Sequence, residues 1–124
     1  MKNKNFFSSL SYAIKGIKTV ICDERNFRID LVMTFLVIIC SLLFPLLKWE
    51  RCIVYMLCAL CLFAESTNSA IEKLTDLASP DFHPLAGKAK DIAAGASLIC
   101  AVFSAAVGLY IFLPYGIDFL KTLV

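Results

Sequence analysis

Glu65, Asn68, Glu72 and Asp76 stand at positions i, i+3, i+7 and i+11 of one stretch of chain. At about 100° per residue they fall at roughly 0°, 300°, 340° and 20°, a stripe about 80° wide on one side of a helix. Three carboxylates on one stripe repel each other unless cations compensate them. Hard divalent ions such as Mg²⁺ prefer carboxylate oxygens and commonly bridge to phosphates. Phosphoryl transfer is therefore a chemistry this stripe can serve. The solvated face of a helix leaving a membrane would account for Asp76 and Glu72. It accounts poorly for Glu65 and Asn68, which follow directly on Leu62-Phe63-Ala64.

Depth sharpens the reading. The apolar part of this helix, Cys52 to Ala64, has only 13 residues. That is about 20 Å of helix against a hydrocarbon core roughly 30 Å thick. Glu65 and Asn68 then lie inside the hydrocarbon or at its edge, where ionisable groups are costly and usually mark a site. Glu24 precedes the first span, and Lys90 and Asp91 precede the apolar part of the third, so all three reach the same interface. Taken singly, Glu24 can solvate a turn and Lys90 can snorkel. As a set, acids and a lysine at one depth resemble a metal–phosphate site.

The elements that must position these groups are membrane helices. The chain has 124 residues, 60% hydrophobic and 18% charged, whereas soluble domains keep about a quarter of their residues charged. The apolar residues are blocked into Leu31–Leu47, Cys52–Ala64 and Ile92–Ile117. Phe6, Leu10, Ala13, Ile14, Ile17, Val20 and Ile21 recur at spacings of three and four, opposite Ser8, Ser11, Lys15, Lys18 and Thr19. This pattern suits a helix lying in the membrane interface; packing on protein is the alternative. The expectation is an all-α membrane protein, an N-terminal amphipathic surface helix plus three transmembrane helices. One domain would cover 1–124, with an interfacial helix at about 5–22 and membrane helices at about 29–47, 52–77 and 85–113. Lys48-Trp49-Glu50-Arg51 would be a tight external turn, Ser79 to Pro84 the one real loop, and Pro114 and Gly116 the end of the last helix.

Charge distribution sets an expected orientation. With three spans, Lys2, Lys4, Lys15, Lys18, Arg25, Arg28, Lys73, Lys88 and Lys90 share one side, and Lys48, Arg51 and Lys121 the other. The excess places the N-terminus and the acidic stripe in the cytoplasm. The net charge of +2 does not call for nucleic acid, and no nucleic-acid partner is expected. The basic residues favour anionic headgroups and nucleotide phosphates instead. The six cysteines, including Cys58-x-x-Cys61, lie mostly in apolar runs with one histidine in the chain, and read as small packing residues rather than a metal or redox site. No phosphate-binding glycine loop or protein-kinase motif set is present. A nucleotide site would have to be built from helices and turns.

Glu65-Ser66-Thr67-Asn68-Ser69-Ala70-Ile71-Glu72, then Asp76, then His83-Pro84-Leu85-Ala86-Gly87-Lys88-Ala89-Lys90-Asp91, resembles the prokaryotic diacylglycerol kinase family, whose pattern is E-x-x-N-[ST]-A-I-E-x-x-x-D followed by H…A-K-D. Glu24-Arg25-Asn26-Phe27 is similar to its N-terminal element. The resemblance covers nearly the whole chain. It implies a homotrimer in the bacterial cell membrane that transfers the γ-phosphate of ATP, with Mg²⁺, to a lipid hydroxyl at the cytoplasmic face. Glu24 and Glu72 would hold Mg²⁺ with the ATP phosphates. Glu65 would be the general base and Asn68 would position the reacting groups. Lys90 and Asp91 would contact the nucleotide, with Asp76 in support and Tyr12 nearby.

The family has two branches, one acting on diacylglycerol and one on undecaprenol. His83-Pro84-Leu85-Ala86, Ala93-Ala94-Gly95-Ala96 and Gly108 to Pro114 are more similar to the undecaprenol kinases, while Asn68-Ser69 and Gly87 lean towards diacylglycerol. Undecaprenol is the favoured acceptor and diacylglycerol the alternative. A small proton-coupled transporter is the remoter alternative, since intramembrane glutamates also serve proton relays.

Overall fold

A computed structural model describes residues 5–124; Lys2 and Lys4 lie outside them. Four helices follow in order, α1 (Phe6–Asp23), α2 (Arg25–Leu43), α3 (Lys48–Ala78) and α4 (Pro84–Thr122), and no strand occurs among the described residues. α2, α3 and α4 are long and apolar enough to cross a membrane. Together with the amphipathic α1 they make an all-α membrane protein.

The apolar face of α1 (Phe6, Leu10, Ile14, Ile17) is exposed on this chain, and only Val20 is buried. The helix is therefore not packed on protein along its length, which leaves that face for the membrane. The break between α1 and α2 is a single extended residue, Glu24. Arg28 makes the sharp change possible. Its guanidinium donates to the carbonyls of Ile21 and Cys22, both at 2.9 Å, which would otherwise be orphans at a helix end.

Three expected boundaries are corrected. The first span starts at Arg25 and ends at Leu43, not 29–47. Pro45 biases the residue before it towards extended backbone, and Phe44 adopts φ −91°, ψ 148°. Lys48 to Arg51 is not a turn but the first turn of α3. The Glu50 carboxylate accepts the Leu47 backbone N–H at 2.9 Å, and Arg51 Nε and Nη2 donate to the Ser41 carbonyl at 3.3 and 3.0 Å. The connection is thus Phe44 to Leu47. Finally, α4 does not stop at Pro114 and Gly116 but continues to Thr122. Packing on both sides of the proline outweighs the missing N–H. Phe44 lies against the rings of Phe112, Tyr115 and Phe119, and the Tyr115 hydroxyl donates to Glu50 at 2.5 Å.

α3 and α4 are antiparallel and share the largest interface. Three side-chain pairs fix their register: Asp76–Lys90, Cys61–Ser104 at 3.1 Å and Glu50–Tyr115. Moving along α3 from 76 to 61 to 50 moves the partner on α4 from 90 to 104 to 115. The apolar core of Leu46, Val54 and Ile111 sits at the Phe44–Leu47 end, leaving the Ser79–His83 end polar. With 31 and 39 residues, α3 and α4 run roughly 46 and 58 Å, well beyond a hydrocarbon core about 30 Å thick. Their ends can therefore stand in water.

Candidate active site

Glu65 lies on α3 with only 7% of its surface exposed, and Ala64 and Ser69 beside it are also buried. Around its carboxylate stand Ser97 of α4, Asn26 and Asp30 of α2, and Glu24 at the α1–α2 break. The break thus carries an acid back to the middle helix, which a continuous α1–α2 helix could not do.

Glu24 is latched to α3. Its Oε1 accepts the Ser69 hydroxyl at 2.7 Å and the Lys73 ammonium at 3.1 Å. Lys73 also reaches Asp23 at 3.3 Å. The Ser69 hydroxyl first, and the Lys73 ammonium after it, hold the Glu24 carboxyl below the usual carboxylate range, with partial burial working the other way. Both contacts fall on Oε1. Oε2 accepts none among the described residues.

A second cluster faces α4. Asn68 Nδ2 donates to Glu72 Oε1 at 3.3 Å, and Lys90 pairs with Asp76 while also feeling the charge of Glu72. Asn68 Oδ1 is buried and has no hydrogen bond among the described residues. The stripe therefore divides. Glu65 looks towards the α1–α2 break and α4, whereas Glu72 and Asp76 sit with Asn68 and Lys90. Asp91 is exposed beside Lys90 and bonds to no described residue. Tyr12 is exposed on α1 with the Lys15 ammonium 5.5 Å from its ring centroid. His83 caps α4, its Nδ1 accepting the Leu85 N–H at 3.1 Å.

No three His, Cys, Asp or Glu side chains converge into a metal cluster among the described residues. The donor set nonetheless suits a hard cation that arrives with phosphates. Glu72, Asn68 Oδ1 and Glu24 Oε2 supply hard oxygen, and an ion of the Mg²⁺ type needs only one or two protein carboxylates when phosphates and water complete its shell.

Sequence reasoning missed four participants. Ser69 and Lys73 are at i+4 and i+8 from Glu65, flanking the stripe, and nothing in their spacing names a partner on the α1–α2 break. Asp30 carried a usable signal, an ionisable residue in the first span, but an expected start near 29 put it at the margin. Ser97 is a serine in an apolar helix and carried none.

A family model described as prokaryotic diacylglycerol kinase matches residues 11–112. The chain is 41% identical over 109 residues to the undecaprenol kinase of Bacillus subtilis, covering 88% of this chain and 89% of that protein. It is 37% identical over 115 residues to a diacylglycerol kinase of Helicobacter pylori (strain J99), covering 90% and 88%. A diacylglycerol kinase of Escherichia coli K12 is 29% identical over 91 residues, covering 73% and 75%.

Proposed function

The chain belongs to the prokaryotic diacylglycerol kinase family, and from that membership we propose that it transfers the γ-phosphate of MgATP to the hydroxyl of undecaprenol at the cytoplasmic face of the cell membrane. It is a multi-pass membrane lipid kinase, a phosphotransferase with an alcohol acceptor. The transporter alternative loses its support with that assignment.

The observation that carries the site reading is the buried Glu65 carboxylate, flanked by Ser97 and Asn26 and one turn from Asn68. Phosphoryl transfer asks mainly for positioning and charge neutralisation. Glu65 accepts the proton of the lipid hydroxyl. Asn68 orients the reacting groups through its unpartnered Oδ1. Lys90 turns from Asp76 to the nucleotide phosphates, with Asp91 and Tyr12 at the margins of the nucleotide site and Asp76 holding Lys90 until nucleotide arrives. Glu24 and Glu72 would hold Mg²⁺, which would neutralise phosphate charge.

The orientation rests on the basic residues. Lys15, Lys18, Arg25, Arg28, Lys73, Lys88 and Lys90 gather at the site end, and Lys48, Arg51 and Lys121 at the other. A homotrimer fits the small core and the wide apolar surface of α2–α4, which lipid and neighbouring copies would cover between them.

Undecaprenol is favoured by the identity to the Bacillus subtilis enzyme and by the Ala93-Ala94-Gly95-Ala96 and Gly108–Pro114 segments. Diacylglycerol is the second reading, favoured by Asn68-Ser69 and by the similarity to the Helicobacter pylori enzyme. The test is a competition in mixed micelles with both alcohols and labelled MgATP. Undecaprenyl phosphate as the main product supports the first reading, and phosphatidic acid as the main product replaces it with the second.

A further inference from the structure

Among the described residues, two buried side-chain polar atoms lack a hydrogen bond, Asn68 Oδ1 and Ser97 Oγ. They lie on different helices, and both are near Glu65. Asn68 stands one turn further along α3, and Ser97 faces the Glu65 carboxylate from α4.

The orphaned serine is the unusual one. A hydroxyl inside a helix commonly satisfies itself on the carbonyl four residues back. Thr19, Thr34, Ser66, Thr67 and Thr75 all do so here. Ser97 does not bond the Ala93 carbonyl; its hydroxyl faces the Glu65 carboxylate without reaching full hydrogen-bond geometry. A buried hydroxyl left in this state costs free energy that a bound partner would recover. The residues before it, Ala93-Ala94-Gly95-Ala96, are all small.

We propose that Ser97 is a docking contact for the acceptor alcohol: its hydroxyl donates to the alcohol oxygen while the alcohol's own O–H donates to the Glu65 carboxylate. This rests on the lipid kinase reading given above. The alcohol oxygen has one proton and two lone pairs. The proton passes to Glu65. One lone pair accepts the Ser97 O–H, and the other attacks the γ-phosphorus. The new P–O bond forms as the bond to the departing ADP oxygen breaks with its electron pair. Ser97 keeps its proton throughout, and Glu65 returns the one it took to water. Ser97 therefore fixes where the alcohol oxygen sits relative to the base.

The test compares wild-type enzyme with Ser97→Ala and Ser97→Thr in mixed micelles. It measures kcat and KM separately for the lipid alcohol and for MgATP, and adds the melting temperature. Ser97→Ala should lower kcat/KM for the alcohol about tenfold and leave KM for MgATP within about twofold. Its melting temperature should not fall, and Ser97→Thr should recover most of the loss. If Ser97→Ala keeps kcat/KM for the alcohol and merely melts higher, the hydroxyl is only a packing defect and the proposal is overturned. If both KM values and the melting temperature fail together without rescue by threonine, the role is structural and the proposal is likewise overturned. A wild-type enzyme that phosphorylates neither alcohol would remove the kinase reading itself, and the proposal with it.

Discussion

Glu24 and Ser69 are joined by a 2.7 Å hydrogen bond that ties the α1–α2 break to the middle of α3. Ser69 is 4% exposed, so its hydroxyl has little water to turn to. Ser69→Ala leaves the Glu24 carboxylate with Lys73 alone and should destabilise the protein by about 1–2 kcal/mol. Thermal unfolding in detergent micelles checks this; an unchanged melting temperature would mean that the latch does not hold the surface helix.

The same latch has a pH signature. Glu24 is held below the usual carboxylate range by Ser69 and Lys73, so its stabilisation is fully present above the unfolded carboxylate pKa of about 4.3. It fades as pH falls through the lower folded value. The melting temperature of wild type should exceed that of Glu24→Gln by a constant margin from neutral pH down to about 4.3, and the margin should shrink below it. A margin that shrinks as pH rises would contradict the assignment.

Lys90 is held by Asp76, yet both side chains are substantially exposed, 39% and 66%. Such a pair contributes little to stability and can open for a nucleotide. Lys90→Met should raise KM for MgATP about tenfold while leaving the melting temperature nearly unchanged. Asp76→Asn should shift KM for MgATP less. Equal loss of affinity for lipid and nucleotide in Lys90→Met would argue against a phosphate contact.

Pro114 sits inside α4 without ending it. Its ring removes one backbone hydrogen bond and crowds the carbonyl four residues back. Pro114→Ala should therefore raise stability, by up to about 3 kcal/mol, and leave kinase activity unchanged, because the proline lies at the opposite end of the bundle from Glu65. Thermal unfolding and a standard transfer assay decide it, and a lower melting temperature would show that the proline is needed for the Phe44 packing.

The sequence was most legible where function follows local periodicity. Glu65, Asn68, Glu72 and Asp76 could be placed on one face because helix geometry relates residues of one element without tertiary information. What periodicity cannot supply is the partner on another element. Ser69 and Lys73 became part of the site only because the break at Glu24 folds back onto α3. Asp76 and Lys90 met because α3 and α4 share one antiparallel register. The division of the stripe into two clusters has the same origin, since Glu65 meets the α1–α2 break and Ser97 while Asp76 meets Lys90. Helix ends failed for a related reason. Pro114 is a local stop signal, and the edge-on and tilted ring contacts of Phe44 with Phe112, Tyr115 and Phe119 override it from about 70 residues away in sequence, where no local pattern reaches. Lys48 to Arg51 read as a turn by its charge, whereas Glu50 and Arg51 spend those charges on the helix start and on the Ser41 carbonyl.

The measurement that bears most directly on the central claim is phosphate transfer from labelled MgATP to a lipid alcohol by purified wild-type protein and by Glu65→Gln. The variant keeps the size of the side chain and removes its ability to take a proton. Wild type should label the lipid, and Glu65→Gln should lose about 10²–10⁴ of kcat with an unchanged melting profile. Comparable labelling by the two proteins would contradict the assignment of Glu65 as the base, and no labelling by folded wild type would contradict the kinase reading of the site.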